Sequence, residues 1–183
     1  LIQALNLEWD MDTRQLINYL DLVSLATVAD QVPLYDENRI ITYLGLEQIN
    51  KEPRPGIKAL LSDFKGNEIS TSTLVFKLCP KVNAAGRMKH ANLALELLMC
   101  EKLEHTVNLS EQISSINIER REEEKKTTKE ALIQIKQKGE ESFSSTLVHN
   151  DNWHPGIIGI VASRLIEKYY RPPIVLTKKG QYY

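Results

Sequence analysis

Apolar residues recur at helical spacing through most of the first half of the chain, which predicts a largely helical first part. Residues 38–50 have this period despite Gly45, and residues 91–99 form a strongly apolar helix. Asp12 can cap a helix near the start of the chain. The apolar run over residues 20–29 fits either a helix or a buried strand, because periodicity does not separate the two at this length.

Residues 109–138 predict one long helix, because they lack Gly and Pro and are rich in Glu, Lys, Arg and Gln. Their apolar residues lie at the two ends, and residues 119–130 include no strongly apolar residue. A helix that is polar on all sides usually crosses solvent between two packed bodies, so we favour a connecting helix over a solvated helix on one domain. A coiled coil is disfavoured because no apolar heptad passes through the middle. Gly139 is expected to end the helix.

The last part of the chain predicts a strand at residues 143–148, a helix at residues 157–170 and a strand at residues 174–177. A strand–helix–strand unit joins parallel strands, so the fold class is α/β. One such unit cannot cover both faces of its sheet, so we expect the chain to stop inside a domain. The predicted organisation is a first domain over residues 1–108, the connecting helix over residues 109–138 and the start of a second domain over residues 139–183.

The composition is that of a globular protein, with a formal net charge of −1 and 42% hydrophobic residues over 183 positions. Because no overall basic charge is present, any nucleic-acid site has to be a local cluster. The sequence has neither an apolar run long enough to cross a membrane nor a signal peptide, which predicts a cytoplasmic protein without membrane partners. Cys79 and Cys100 lack metal-site spacing and are expected to be buried thiols.

Asp30 closes the apolar run of residues 20–29, shortly before Pro33. Open α/β folds place ligands and metals at the ends of buried elements, and Mg²⁺ and Mn²⁺ prefer oxygen ligands. Asp30 is therefore a candidate metal ligand. The alternative is a helix cap or a hydrogen bond that fixes the following loop. Asp21 is the other acid of this segment, and the spacing does not place it beside Asp30.

Residues 81–91 are rich in small residues and predict a turn, after an apolar run that stops at Pro80. Asn83 begins the sequence NAAGR within this segment. The small residues allow close approach of another backbone, and Arg87 offers a planar fork suited to phosphate. Alternatively, Arg87 pairs with a nearby acid and holds its own turn.

The loop before the last predicted helix contains the sequence WHPG at residues 153–156. Free N–H groups at a helix start can bind an anion, and His154 can donate to a phosphate or cap the helix. Gly156 and Gly159 indicate close packing or close backbone approach. Arg164 follows about two turns into the helix, and is expected on its surface.

Four stretches, taken together and in this order, resemble the RecJ family of single-stranded-DNA exonucleases, which belongs to the DHH phosphoesterase superfamily. They are DLVSLATVADQVPL with ENRI after it, PKVNAAGR, the INIERREEE helix, and NWHPGIIGIVASRLIEKYYRPPIVL. The resemblance covers nearly the whole chain. It implies removal of nucleotides from the 5′ end of single-stranded DNA in repair and recombination. It also implies Mn²⁺ or Mg²⁺ in a cleft between a DHH domain and a DHHA1 domain, which a long helix joins.

The resemblance assigns roles to particular residues. It implies that Asp30 is the metal ligand of the segment, with Asp21 as the fallback. It further implies that four residues contact nucleic acid, with the arginine of NAAGR meeting DNA phosphate: Asn83, Arg87, His154 and Arg164.

The sequence departs from the family pattern because the early aspartate motifs and the DHH motif are missing. The resemblance therefore implies a piece of a longer exonuclease, inactive by itself, whose partners are single-stranded DNA and other repair or replication proteins. Two other functions stay open. One is a phosphoesterase for short oligonucleotides or nucleotides, and the other is a non-catalytic scaffold in replication.

Overall fold

The computed structural model describes residues 7–9, 13–180 and 182. Its elements are a 3-10 helix (Thr13–Tyr19), α1 (Leu20–Ala29), α2 (Asp36–Lys51), α3 (Pro55–Leu60), a helical turn (Thr71–Thr73), a π-helical turn (Leu74–Leu78), α4 (Cys79–Met88), α5 (Asn92–Met99), α6 (Leu103–Gln137), β1 (Thr146–His149), α7 (Ile158–Tyr169) and β2 (Pro173–Leu176). Helices combined with a small parallel sheet confirm the predicted α/β class. The cap predicted at Asp12 lies outside the described residues. None of the helices described is both long and apolar enough to cross a membrane.

The chain divides into two compact units. The first comprises Leu1–Val82 and Leu95–Glu111, and the second comprises Asn83–Ala94 and Gln112–Tyr183. Helix α6 contributes its first turns to one unit and the rest of its length to the other. The NAAGR and WHPG segments both belong to the second unit, although they lie far apart in the sequence.

In the first unit, the apolar run that fits either a helix or a strand forms helix α1. Helix α2 packs against α1 at Gly45, where an added Cβ would lie 2.3 Å from the carbonyl oxygen of Leu20 and 2.4 Å from Cβ of Ser24. Gly45 therefore serves the close approach of two helices, which explains a glycine inside a helical pattern.

The turn predicted over residues 81–91 and the stop predicted at Pro80 are both wrong. Residues Thr71–Met88 form consecutive helical turns, and Pro80 occupies the first turn of α4. Proline lacks an N–H group and its ring crowds the carbonyl group four residues earlier. The wider π-helical turn directly before α4 relieves this crowding, so the proline is accommodated near the start of the helix.

The predicted long helix is α6, which begins at Leu103, earlier than expected, and ends at Gln137. Gly139 has a φ of 66°. Its N–H group donates to the carbonyl oxygen of Lys136 at 3.1 Å, and Glu140 donates to Ile135 at 3.2 Å. This pair of bonds closes a helix that ends in a left-handed glycine, which confirms the role predicted for Gly139.

The expectation that the middle of this helix is solvated on all sides is wrong. Glu124 is 8% exposed and Thr127 is 1% exposed, so polar side chains are buried at the centre of α6. They continue a buried stripe that includes Asn117 before them and Ala131 after them. Hydrophobic periodicity misses this stripe because hydrogen bonds and ion pairs, rather than apolar contacts, compensate the buried groups.

The strand–helix–strand unit is confirmed in the second unit. Strands β1 and β2 pair in parallel, with Leu147 opposite Ile174. One core cluster of this unit draws on α6, β1, the loop after β1 and α7, and its buried members are Ala131, Ile135, Val148, Trp153, Val161 and Leu165. The Gln134 side chain of α6 bonds both the N–H and the C=O of His149. Helix α6 therefore closes the outer edge of β1.

We predict that Gly45→Ala lowers the free energy of unfolding by roughly 1–3 kcal/mol, because its methyl group would overlap backbone and side-chain atoms of α1. Gly159→Ala is the matched control, since a Cβ there meets nothing within 4 Å. That control should raise stability by roughly 0.5–1 kcal/mol through its better helix propensity. Chemical denaturation of both variants checks this, and equal effects would contradict close packing at Gly45.

Candidate nucleic-acid interface

Helix α4 places the NAAGR residues on two different sides. Asn83 and Arg87 are exposed and lie four residues apart, so they share one face of the helix. Ala84 is fully buried and packs in a core cluster with Ile116 of α6 and Ile157 at the start of α7. The small residues thus anchor the helix in the second unit, while the arginine stays at its surface.

The backbone of Arg87 lies directly against Gly156. A Cβ at position 156 would lie 2.0 Å from the carbonyl oxygen of Arg87 and 2.8 Å from its carbonyl carbon. No side chain fits in that space, so the glycine of WHPG is required by contact with the arginine of NAAGR. The structure therefore brings these two segments together, which the sequence does not reveal.

His154 lies beside this contact. Its Nδ1 accepts a hydrogen bond from the N–H group of Gly156 at 3.0 Å, so the ring hydrogen of the neutral imidazole is on Nε2. A Cβ at position 156 would lie 3.1 Å from Cε1 of the His154 ring and 2.0 Å from the carbonyl oxygen of Arg87. These two atoms are therefore at most about 5 Å apart. His154 thus caps its own loop through one nitrogen and presents a donor on the other.

Trp153 fixes the loop that carries His154. Its side chain is 4% exposed and belongs to the core of the second unit. The indole N–H donates to Glu130 of α6 at 2.8 Å, and the Thr177 hydroxyl donates to the Trp153 carbonyl oxygen at 2.6 Å. The loop is therefore held from α6 on one side and from the end of β2 on the other.

Arg164 is half exposed and paired with two acids. Its Nε donates to Glu124 at 3.0 Å, and its Nη1 lies 3.1 Å from Glu167. The hydrogen bond to Glu124 and then the one to Glu167 raise the pKa of Arg164. Its charge is already compensated within the protein, so a DNA contact by Arg164 stays a prediction with weaker support than that for Arg87.

Arg120 of α6 completes a group of arginines around one buried acid. Its Nη1 donates to Glu124 at 2.8 Å. Burial lowers the pKa of Arg120, and the negative charge of Glu124 opposes this effect. The positive charges of Arg121, Arg87 and Arg164 lower the pKa further. Glu124 is thus the acid that balances a locally basic part of the second unit.

The guanidinium group of Arg87 differs from those of Arg120 and Arg164. In the part of the chain that the structure describes, no hydrogen bond or ion pair engages it. This speaks against the alternative in which Arg87 pairs with a nearby acid and holds its own turn. An exposed arginine that no described acid pairs suits the binding of an anion.

The two acids of α1 occupy opposite environments within the first unit. Asp21 is 1% exposed, and its two carboxylate oxygens accept from the N–H group of Leu22 and from Arg54. Asp30 ends the helix and is exposed, and no described residue bonds its carboxylate. Gln31, which follows it, has a φ of 54°, an uncommon conformation for a residue other than glycine. Asp30 is thus available to bind a cation, whereas Asp21 is committed to Arg54.

The metal site is only partly present among these residues. No group of three or more His, Cys, Asp or Glu side chains comes together as a potential metal cage in the described parts of the chain. Asp30 can supply one of the oxygen ligands that Mg²⁺ or Mn²⁺ prefers.

Comparison with known proteins identifies what this chain is similar to. No family model matches it. It is 41% identical over 159 residues to the single-stranded-DNA-specific exonuclease RecJ of Bacillus subtilis, covering 86% of this chain and 20% of the relative. It is 36% identical over 171 residues to RecJ of Escherichia coli, covering 90% of this chain and 30% of the relative. The chain is similar to part of RecJ.

Solved structures of RecJ agree with this relationship. RecJ of Thermus thermophilus in complex with Mn²⁺ matches with a TM-score of 0.82 and 27% identity, over 95% of this chain and 26% of that one. A structure of exonuclease RecJ bound to manganese matches with a TM-score of 0.81 and 26% identity, over 95% of this chain and 43% of that one. The chain therefore spans only about a fifth to a third of the curated RecJ relatives that it matches.

Sequence reasoning missed Glu124 and Arg120, although both lie in the INIERREEE stretch that carries the likeness to RecJ. No signal in the sequence separates them from their neighbours. Asn117, Arg120, Glu124 and Thr127 have the spacing of one helix face, but the residues between Arg120 and Thr127 are polar as well, so the spacing does not single out this face.

We predict that Gly156→Ala lowers the melting temperature, because the methyl group forces the backbone at Arg87 to move and costs roughly 1–3 kcal/mol. Gly86→Ala is the control on the adjacent helix, since a Cβ there meets only the Ala91 methyl group at 3.7 Å. We expect this control to match or exceed the wild-type melting temperature. The same loss of stability in both variants would contradict the contact.

Proposed function

We propose that this chain is part of a metal-dependent exonuclease that removes nucleotides from the 5′ end of single-stranded DNA, acting in the cytoplasm in DNA repair and recombination. The observation that carries this proposal is the exposed guanidinium of Arg87, which no described residue pairs, on a residue whose backbone lies beside the His154 ring. The names of the relatives support the substrate, because they describe RecJ as specific for single-stranded DNA. Other repair or replication proteins would be its partners.

The chemistry of the site favours the DNA backbone over the bases. An arginine side chain only donates hydrogen bonds, and a phosphate only accepts them at neutral pH. Contacts of this kind hold a strand in register without reading its sequence. An exonuclease that digests any sequence needs this type of contact. Asn83 shares the exposed face of α4 with Arg87 and would add a further donor, while Arg164 would contribute its Nη2 group, which its bonds to the two acids do not use.

Mn²⁺ or Mg²⁺ would be the cofactor, as the metals in the RecJ structures suggest. When bound, such an ion polarises a phosphodiester and helps to generate the attacking hydroxide. Asp30 would hold it with one carboxylate. The remaining ligands would come from the rest of a DHH domain, of which residues 1–108 would be the last part. Residues 109–138 would connect this domain to a DHHA1 domain that starts at residue 139.

We predict that Arg87→Ala weakens the binding of the full-length protein to single-stranded DNA by a similar factor for different base sequences. The salt dependence should also become shallower, by roughly 0.7 in slope for the loss of one phosphate contact. Arg87→Lys should recover part of the affinity, because lysine keeps the charge but not the planar fork. Fluorescence anisotropy with labelled oligonucleotides, without divalent metal, measures both quantities.

Arg39→Ala is the matched control for this experiment. Arg39 is also an exposed arginine, and it lies on α2 in the other unit. Its removal takes away the same charge and should leave the salt slope closer to that of the wild type. Unchanged affinity in Arg87→Ala, together with a large fall in its melting temperature, would reject the phosphate contact.

We predict that Asp30→Ala abolishes degradation of single-stranded DNA by the full-length protein while the melting temperature changes little, because its carboxylate is exposed and unpaired. Asp21→Ala should instead lower the melting temperature, because it leaves Arg54 without its acid. In the same assay with Mn²⁺, the 183-residue chain alone should leave the DNA intact. Wild-type turnover by Asp30→Ala would remove Asp30 from the metal site.

A further inference from the structure

Glu124 uses both of its carboxylate oxygens within the protein. Oε2 accepts from Nη1 of Arg120 at 2.8 Å, and Oε1 accepts from Nε of Arg164 at 3.0 Å. The residue is 8% exposed, so its carboxylate and the pair with Arg120 are largely shielded from water, whereas Arg164 is half exposed. Such shielding makes each charge depend strongly on its partner, because an unpaired buried charge is costly.

Arg120 depends on Glu124 more than Arg164 does. Arg164 also pairs with Glu167, whereas the only other partner of Arg120 among the described residues is the neutral side-chain oxygen of Asn117, at 3.0 Å. The Nε atom of Arg120 is buried without a hydrogen-bond partner. The positive charge of Arg120 is therefore balanced by a single carboxylate.

Arg87 projects from a helix that packs beside this pair. Its neighbours Ala84 and Met88 on α4 pack with Ile116 of α6, which lies one turn before Arg120. An unpaired acid in this region would attract the guanidinium of Arg87. Glu124 is paired instead, because each of its two oxygens accepts from an arginine, Arg120 or Arg164.

We propose that Glu124 is a positioning residue that keeps Arg87 available for a DNA phosphate, by neutralising Arg120 and Arg164 through its two oxygens. Without the negative charge of Glu124, Arg120 is an uncompensated buried cation and repels the Arg87 guanidinium from its binding position. This inference rests on the proposed function, because it presupposes that Arg87 contacts phosphate.

The direction of the change in DNA affinity distinguishes this positioning role from a general effect of net charge. Removal of an acidic side chain ordinarily strengthens the binding of a polyanion, because it makes the protein more positive. Loss of the Glu124 charge should do the opposite and weaken binding. The predicted decrease is roughly three- to tenfold, which lies at the lower end of what double-mutant cycles give for residues in one charged network.

The test compares Glu124→Gln with Glu122→Gln in the full-length protein. Both substitutions remove one negative charge from α6, but Glu122 is exposed. Binding of a labelled single-stranded oligonucleotide is measured without divalent metal, and KM and kcat are measured with Mn²⁺. We expect Glu124→Gln to weaken binding and raise KM while kcat at saturating DNA is retained, and Glu122→Gln to bind at least as tightly as the wild type.

Two further variants show whether Glu124 acts through its arginine neighbours. In an Arg87→Ala background, Glu124→Gln should cause no additional loss of affinity. The double variant Arg120→Gln/Glu124→Gln removes the uncompensated cation and should restore affinity to near the wild-type value. If Glu124→Gln alone does not fold, this double variant takes its place in the test. Weak DNA binding by the double variant then overturns the proposal.

Each remaining outcome has one meaning. If Glu124→Gln binds as tightly as Glu122→Gln, or weakens binding equally with and without Arg87, Glu124 is not a positioning residue for Arg87. If Arg87→Ala itself binds DNA normally, the proposed phosphate contact fails, and the role of Glu124 fails with it. A loss in Arg87→Ala without a loss in Glu124→Gln overturns the inference alone and leaves the proposed function standing.

Discussion

The backbone of Gly156 lies against the carbonyl group of Arg87, and the arrangement of the second unit depends on this contact. Helix α4 and the loop before α7 can approach so closely only because position 156 has no side chain. The same contact sets the distance between Arg87 and His154. On the other side of the loop, Trp153 is anchored to α6. The backbone of Arg87 and the ring of His154 therefore lie close together although they are distant in the sequence.

Helix α6 shows how a buried face can be built from polar residues. At its centre, Glu124 replaces the apolar residue that a packed helix usually presents, and two arginines compensate it. Such a network contributes little net stability, because desolvation of the charges offsets their attraction. It does impose strict geometry, because each charged group has to meet a defined partner. In this unit, Arg120 and Arg164 are paired with acids, whereas Arg87 meets no acid among the described residues.

The two acids of helix α1 illustrate the difference between a structural and an available carboxylate. Both are aspartates of the same helical segment, and the residues next to them in the sequence do not show which carboxylate is free to bind a cation. Asp21 is turned inward to Arg54, and burial makes that pair hard to break. Asp30 lies at the helix end, where its side chain meets solvent. Tertiary contacts, rather than chemistry, decide which of them is free to bind a cation.

The sequence by itself determined the features that depend on nearby residues. Gly139 ended the long helix because glycine readily adopts a positive φ, and the strand–helix–strand pattern specified the parallel pair. The order of the motifs was also enough to reveal the likeness to RecJ. These inferences succeeded because periodicity, helix propensity and turn chemistry act over a few residues.

Only the tertiary structure decided what depends on distant residues. It placed Gly156 against Arg87, paired Arg164 with Glu124, and buried the polar centre of α6. It also made the NAAGR segment a helix instead of a turn, since its alanines favour a helix and Ala84 packs in the core, which outweighs the turn preference of Asn83 and Gly86. Local pattern cannot supply these facts, because burial and charge pairing are set by groups that meet only after the chain has folded.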